Sequence, residues 1–79
     1  MTKSVFTPAY RFFTQSLIQI RHEKHLTQVA LAQKLKKPQS YISKYESGER
    51  RLDVIEVLEI LRALRIKPSR FFTAFDADI

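Results

Sequence analysis

Residues 27–52 constrain the fold most strongly, because their pattern predicts two short helices joined by a tight turn. Thr27 is a good N-cap, since its hydroxyl can accept a hydrogen bond from a backbone N–H of the first turn. An apolar stripe with helical spacing follows, made of Val29, Leu31, Ala32 and Leu35. The first short helix is therefore predicted to begin after Thr27 and to end near Leu35.

The second short helix is bounded by a proline and by the one glycine of the chain. Proline disfavours helix in the residue before it and suits the first position of a new helix, so we expect this helix to begin at Pro38. It should run to about Ser47, because Gly48 can take the left-handed conformation that closes a helix.

The two faces of the second short helix differ in chemistry. Ile42 and Tyr45, three residues apart, are predicted to point into a core. The opposite face consists of Gln39, Ser40, Ser43 and Lys44. Glutamine can present a donor and an acceptor to adenine, serine can reach any base, and lysine donates to guanine or phosphate. The face suits a recognition helix, although a solvated polar surface is the commoner explanation of such residues.

The positive charge is concentrated around these two helices. The chain has a net charge of +6 and a sequence pI of about 10.0. Residues 26–51 contain two glutamates and six basic residues, which are Lys34, Lys36, Lys37, Lys44, Arg50 and Arg51. Duplex DNA attracts such a surface by releasing counterions. An anionic membrane would require a strongly basic amphipathic helix, which is not evident, so we expect no membrane partner.

The remaining boundaries predict three further helices. Thr7 followed by Pro8 predicts that a first helix begins there and runs to about Lys24, with Phe13, Leu17 and Ile20 buried and Tyr10 or Phe12 nearby. Asp53 and Glu56 have the spacing of a capping box, which places the next helix start at about Val54. Its apolar stripe is wide and consists of Val54, Ile55, Val57, Leu58, Ile60, Leu61 and Leu64. Pro68 predicts a last helix within residues 67–79, and residues 1–6 are expected to form a loose arm.

Composition favours one all-α domain over residues 1–79. One glycine and three prolines leave little room for hairpins. The absence of cysteine excludes disulfides and thiolate metal sites and fits a reducing cytoplasm. His22 and His25 are three residues apart, but nothing in the sequence completes a metal site, so surface histidines are the better explanation. No nucleophile with a nearby base is evident, so we expect neither an enzyme nor a cofactor.

Two runs carry a resemblance to a known family, IRHEKHLTQVALAQKL and PQSYISKYESGERRLDVIEVLEILRAL. They resemble the phage-repressor and Cro-type (XRE-like) helix-turn-helix proteins, and the likeness covers about residues 13–72. It implies a compact bundle of about five helices that binds double-stranded operator DNA, usually as a homodimer. The family turn usually has a glycine where this chain has Lys36, and a small apolar residue where it has Lys37. Two alternatives follow: Lys36 takes a positive φ at some energetic cost, or the turn differs slightly from that of the family.

The resemblance also implies roles for individual residues. Base edges would be contacted by Gln39, Ser40, Ser43 and Lys44. Phosphates would be contacted by Gln28, Arg50 and Arg51. Beyond what the resemblance implies, we expect phosphate contacts from Lys36, Lys37 and Tyr41 as well. Arg21 would form a structural ion pair with Glu46, although two unrelated surface charges would explain the same residues.

The sequence thus predicts a cytoplasmic transcriptional regulator that binds a near-palindromic operator as a dimer. Phe72, Phe75 and part of residues 55–60 are candidates for the dimer interface, because exposed apolar surface often marks an interface. Phe71 and Phe72 could equally complete the core. A repressor, a Cro-like protein, a controller protein and an antitoxin would all fit. The alternative is a protein-interaction module on the same fold, such as an antitoxin or adaptor that binds a partner protein.

Overall fold

Five helices follow one another in residues 7–78, the part of the chain that the computed structural model describes. They are α1 (Pro8–Glu23), α2 (Gln28–Leu35), α3 (Gln39–Ser47), α4 (Val54–Ala63) and α5 (Pro68–Asp78). These described residues contain no strand, and the predicted all-α bundle is confirmed. The arm predicted for residues 1–6 lies outside the described residues.

Side-chain caps fix the start of three helices as predicted. The Thr7 hydroxyl accepts a hydrogen bond from the backbone N–H of Tyr10 at 3.1 Å and so begins α1. Thr27 begins α2 in the same way. At α4, Asp53 accepts from the N–H of Glu56 at 2.8 Å, and the Glu56 carboxylate accepts from the N–H of Asp53 at 3.0 Å. This is the complete capping box.

The start of α3 differs from the prediction by one residue. Pro38 is the N-cap, with an extended backbone (ψ 154°), and the first helical residue is Gln39. A proline at the N-cap still keeps the preceding residue out of the helical region, so the connection after α2 ends where the sequence indicated.

Residues with a left-handed backbone close α2 and α3. Gly48 has φ 90° after α3, as predicted. Lys36 has φ 57° after α2, so of the two alternatives for this turn the positive φ is the one observed. The N–H of Lys36 donates to the carbonyl of Gln33 at 3.1 Å, and the N–H of Lys37 donates to the carbonyl of Ala32 at 3.0 Å. This pattern is the Schellman motif. It turns the chain sharply between α2 and α3 without a glycine.

All five helices contribute to one apolar core. Its members are Phe13, Leu17, Leu31, Ala32, Ile42, Tyr45, Val57, Ile60, Leu61, Leu64 and Phe71. The predicted stripe of α2 is narrower than expected, since Val29 is 47% exposed. Val29 is two residues before Leu31 and therefore lies about 200° around the helix from it. In α4, Val54 and Ile55 are likewise exposed.

No helix in the described part of the chain is long and apolar enough to span a bilayer.

Candidate nucleic-acid interface

The two sides of α3 differ sharply in exposure. Ile42 and Tyr45 are 0% and 1% exposed and anchor the helix in the core. Burial also raises the pKa of the Tyr45 hydroxyl, which therefore stays protonated. The four predicted base-contacting residues, Gln39, Ser40, Ser43 and Lys44, are all exposed. The helix thus presents one continuous polar face to solvent from a rigid support.

Hydrogen bonds connect this polar face to the interior. The Nε2 of Gln39 donates to the Oε1 of Gln28 at 3.1 Å, and the Nε2 of Gln28 donates to the Oε1 of Glu46 at 2.9 Å. Gln28 is the first residue of α2, so these bonds join the starts of α2 and α3. The orientation of the Gln39 amide is therefore set by Gln28.

The Arg21–Glu46 ion pair continues this network into the protein, because Glu46 accepts hydrogen bonds from both Gln28 and Arg21. Nε of Arg21 lies 2.8 Å from Oε2 of Glu46, and Nη2 lies 3.0 Å from Oε1. Nη1 of Arg21 donates to the carbonyl of Leu26 at 2.8 Å. The two side chains are 9% and 7% exposed. The hydrogen bond to Glu46 raises the pKa of Arg21, so the guanidinium stays charged. The pair ties α1 to α3.

Three basic side chains that flank α3 in the sequence lie over aromatic rings of α3 and α1, and we call Lys37, Arg50 and Arg51 the basic rim. Lys37 Nζ is 5.2 Å from the centre of the Tyr41 ring, and Arg50 Cζ is 5.0 Å from the same ring. Arg51 Cζ is 4.3 Å from the centre of the Tyr10 ring. Such contacts favour a cation over the ring face, so the rings limit where these charges lie.

Arg50 has a further partner in Glu56, at the start of α4. Nη1 and Nη2 of Arg50 donate to the two carboxylate oxygens at 3.0 and 2.6 Å. This hydrogen bond is the main reason that the pKa of Glu56 is lowered, and the Asp53 N–H adds to the effect. The single carboxylate of Glu56 therefore accepts hydrogen bonds both from the Asp53 N–H of the capping box and from Arg50 of the basic rim.

Comparison with known proteins identifies the family. The helix-turn-helix family model matches residues 17–71, which is more than half of the chain. The chain belongs to the helix-turn-helix family. A solved structure described as an XRE-family like protein from Pseudomonas syringae pv. tomato str. DC3000 is 35% identical. It superimposes with a TM-score of 0.86 and covers 98% of this chain and 96% of that one. None of the curated proteins matches the chain.

The predicted family and fold are therefore confirmed. Helix-turn-helix proteins of this family are DNA-binding regulators rather than enzymes, so DNA is the partner that the family indicates. Within the described residues, no group of three or more His, Cys, Asp or Glu side chains could hold a metal ion. His22 instead lies with Nε2 3.3 Å from Nη2 of Arg21.

The phenylalanines of α5 divide between core and surface of this helix-turn-helix domain. Phe71 is buried, whereas Phe72 is 37% exposed. Phe75 is half-buried and stacks on Phe12 of α1, with ring centres 5.4 Å apart. A groove between α1 and α5 is lined by Phe12, Ile20, Ile66, Arg70, Phe71 and Phe75. Of the other candidates for a dimer interface, Ile60 is completely buried and Ile55 is exposed.

Two contributors to the interface have no clear signal in the sequence. The sequence indicates Glu56 only as part of a capping box. Its contact with Arg50 is not visible there, because the six-residue separation between the two spans the α3–α4 connection. Tyr10 packs against the core, as expected, but its other contacts have no signal in the sequence. Its ring lies under Arg51, and its hydroxyl accepts a hydrogen bond from the N–H of Leu52 at 3.1 Å. Long-range side-chain contacts of this kind do not follow from helical spacing.

Proposed function

We propose that this protein is a sequence-specific transcriptional regulator that binds a near-palindromic operator and places α3 in the major groove. The observation that carries the proposal is the exposed polar face of α3 opposite a completely buried Ile42 and Tyr45. A recognition helix needs this arrangement, because its base-reading side chains must stay in register with the rest of the domain. The regulator would act by occupying its operator, in the compartment that holds the DNA, so we expect it in the cytoplasm.

Gln39 is the best-supported base-reading residue. One N–H of its amide is used by Gln28. The amide carbonyl and the second N–H are then available to read the N6 and N7 edge of an adenine. Ser40, Ser43 and Lys44 would complete the readout.

Backbone contacts would surround this reading face. Gln28 has a second amide N–H that could donate to a phosphate beside the base that Gln39 reads. We assign further phosphate contacts to Lys36, Lys37, Tyr41, Arg50 and Arg51. Phosphate contacts of this kind fix the register of a protein on the duplex and make binding dependent on salt.

A homodimer would account for a near-palindromic site. Two copies related by a two-fold axis would place their recognition helices about 34 Å apart, which is one turn of DNA. Phe72 and Phe75 would form the interface together with Phe12, since these side chains lie at the surface where α1 and α5 meet. Sedimentation at micromolar concentration, with and without DNA, tests this, and a monomer under both conditions would refute it.

The decisive experiment selects duplexes from a randomised pool at about 150 mM salt and sequences the bound fraction. We expect a near-palindromic motif that the Gln39→Ala/Lys44→Ala variant no longer selects. The matched control is Gln33→Ala/Lys24→Ala, which removes an amide and a positive charge from exposed positions outside α3. A motif retained by the α3 variant would contradict direct readout. Weak binding without any motif would favour the protein-interaction alternative.

A further inference from the structure

Arg50 is held on three sides in the free protein. Its two terminal nitrogens donate to the two oxygens of Glu56, and Nη1 also donates to the carbonyl of Arg51 at 3.2 Å. The guanidinium carbon lies 5.0 Å from the centre of the Tyr41 ring. The side chain is nevertheless 40% exposed, so solvent still reaches part of the group.

The way in which Arg50 meets Glu56 leaves one edge of the guanidinium available. A guanidinium has five N–H donors, one on Nε and two on each terminal nitrogen. Both N–H groups of Nη1 and one of Nη2 are used by Glu56 and the Arg51 carbonyl. Among the described residues, neither the Nε–H nor the second N–H of Nη2 has a partner. These two donors lie on the same edge, and their spacing matches two oxygens of a phosphate.

We propose that Glu56 is a positioning residue for DNA binding, because it fixes the Arg50 guanidinium with its Nε–Nη2 edge free to take a DNA phosphate. The inference rests on the proposed function, since it specifies how one backbone contact is made. Glu56 itself is positioned by the capping box, because its Oε1 also accepts from the Asp53 N–H at 3.0 Å. The first turn of α4 thereby fixes the position of the Arg50 guanidinium, although Arg50 itself belongs to the α3–α4 connection.

Charge alone predicts the opposite effect of removing Glu56. A carboxylate beside DNA repels phosphates, so Glu56→Gln should strengthen binding if net charge were all that mattered. The positioning role instead predicts weaker binding, even though the net charge of the protein rises. The substituted side chain would keep an oxygen for the Asp53 N–H, and glutamine is accepted in a capping box. Its amide nitrogen would stand in place of Oε2 and face the Nη2 donor of Arg50, so the 2.6 Å hydrogen bond that helps to fix the guanidinium would be lost.

The test compares Glu56→Gln with Glu59→Gln. Glu59 is exposed on the same helix and makes no side-chain hydrogen bond within the described residues. Affinity is measured by fluorescence anisotropy on a duplex that carries the selected motif, over a series of salt concentrations. One phosphate contact releases about 0.9 counterion, so its loss weakens binding about five-fold at about 0.15 M salt. We expect Glu56→Gln to approach this loss and to lower the salt slope by up to about 0.9, and Glu59→Gln to bind at least as tightly as wild type.

An Arg50→Ala background separates positioning from a general effect on folding. If Glu56 acts through Arg50, Glu56→Gln causes no further loss of affinity when Arg50 is alanine. A loss that persists in that background, or a Glu56→Gln variant that binds as tightly as wild type with an unchanged salt slope, would overturn the positioning role. Circular dichroism at the assay temperature verifies that each variant is folded. Failure of the wild-type protein to bind any duplex would overturn the proposed function and, with it, this inference.

Discussion

Arg21→Ala is expected to lower the free energy of unfolding by about 3 kcal/mol. The side chains of Arg21 and Glu46 are 9% and 7% exposed, so both charges are nearly removed from water. After truncation, Glu46 keeps one hydrogen bond, from Nε2 of Gln28 at 2.9 Å, and the Leu26 carbonyl loses the Arg21 Nη1 donor. Removing one partner of a buried pair costs about 3–5 kcal/mol because the other charge stays buried. Because the hydrogen bond from Gln28 still partly compensates the Glu46 charge, we expect a loss at the lower end of this range.

Urea unfolding followed by circular dichroism measures this loss. A chain of 79 residues has about 4–12 kcal/mol of unfolding free energy, so the change is large on that scale. It corresponds to a fall of about 12–24 °C in Tm. Arg62→Ala removes an exposed arginine from α4 and should change the unfolding free energy by less than about 0.5 kcal/mol.

A double variant isolates the stranded charge. Arg21→Met/Glu46→Leu replaces both charges by apolar side chains of similar volume and should recover most of the lost stability, because no charge is left buried. If Arg21→Ala alone stayed within about 1 kcal/mol of wild type, the pair would behave like an exposed one, and the reasoning from its burial would be wrong.

Three further outcomes follow from the same structure. Lys36→Gly should raise the free energy of unfolding by about 1 kcal/mol, because Lys36 has φ 57°, whereas Lys36→Ala should bring no gain; urea unfolding checks both. The pKa of Glu56 is lowered in the folded protein, so its stabilising effect is complete above its ordinary value of about 4.3 and is lost as the pH falls below it. Between about pH 6 and about pH 2, the free energy of unfolding should therefore fall less steeply with pH in Glu56→Gln than in Glu59→Gln. Phe72→Lys should shift sedimentation towards the monomer, whereas Lys substitution at exposed Ile55 tests whether α4 also takes part in the interface.

The helix boundaries and the two faces of α3 could be predicted because they depend on neighbours in the sequence. Thr7, Thr27 and Asp53 accept hydrogen bonds from N–H groups three residues later, and this spacing is visible in the sequence. The inward positions Ile42 and Tyr45 follow from helical periodicity. The cap spacing and the helical period both depend only on residues close in the sequence, so they can be identified without knowing how the helices pack.

The remaining features depend on how helices pack, which periodicity does not specify. Val54 and Ile55 are as apolar as the buried Ile60, yet they lie on a part of α4 that the other described helices leave exposed. Phe71 and Phe72 are neighbours of equal hydrophobicity, and only their direction from α5 decides that the first is buried. The contact between Arg50 and Glu56 arises because the α3–α4 connection folds back on the start of α4.

The two arginine–glutamate pairs show how geometry gives the same chemistry different uses. Arg21 meets Glu46 through Nε and Nη2 and gives Nη1 to the Leu26 carbonyl, so both edges of its guanidinium are directed into the protein. Arg50 meets Glu56 through its terminal nitrogens and keeps the Nε edge available at a side chain that is 40% exposed. The buried pair can therefore hold α3 in place but cannot reach a ligand, whereas the more exposed pair would be able to bind a phosphate while Arg50 keeps Glu56 as its partner. Arginine rather than lysine is needed at both positions, because the planar fork lets Arg21 bind Glu46 and the Leu26 carbonyl together and would let Arg50 use one edge for Glu56 and the other for DNA.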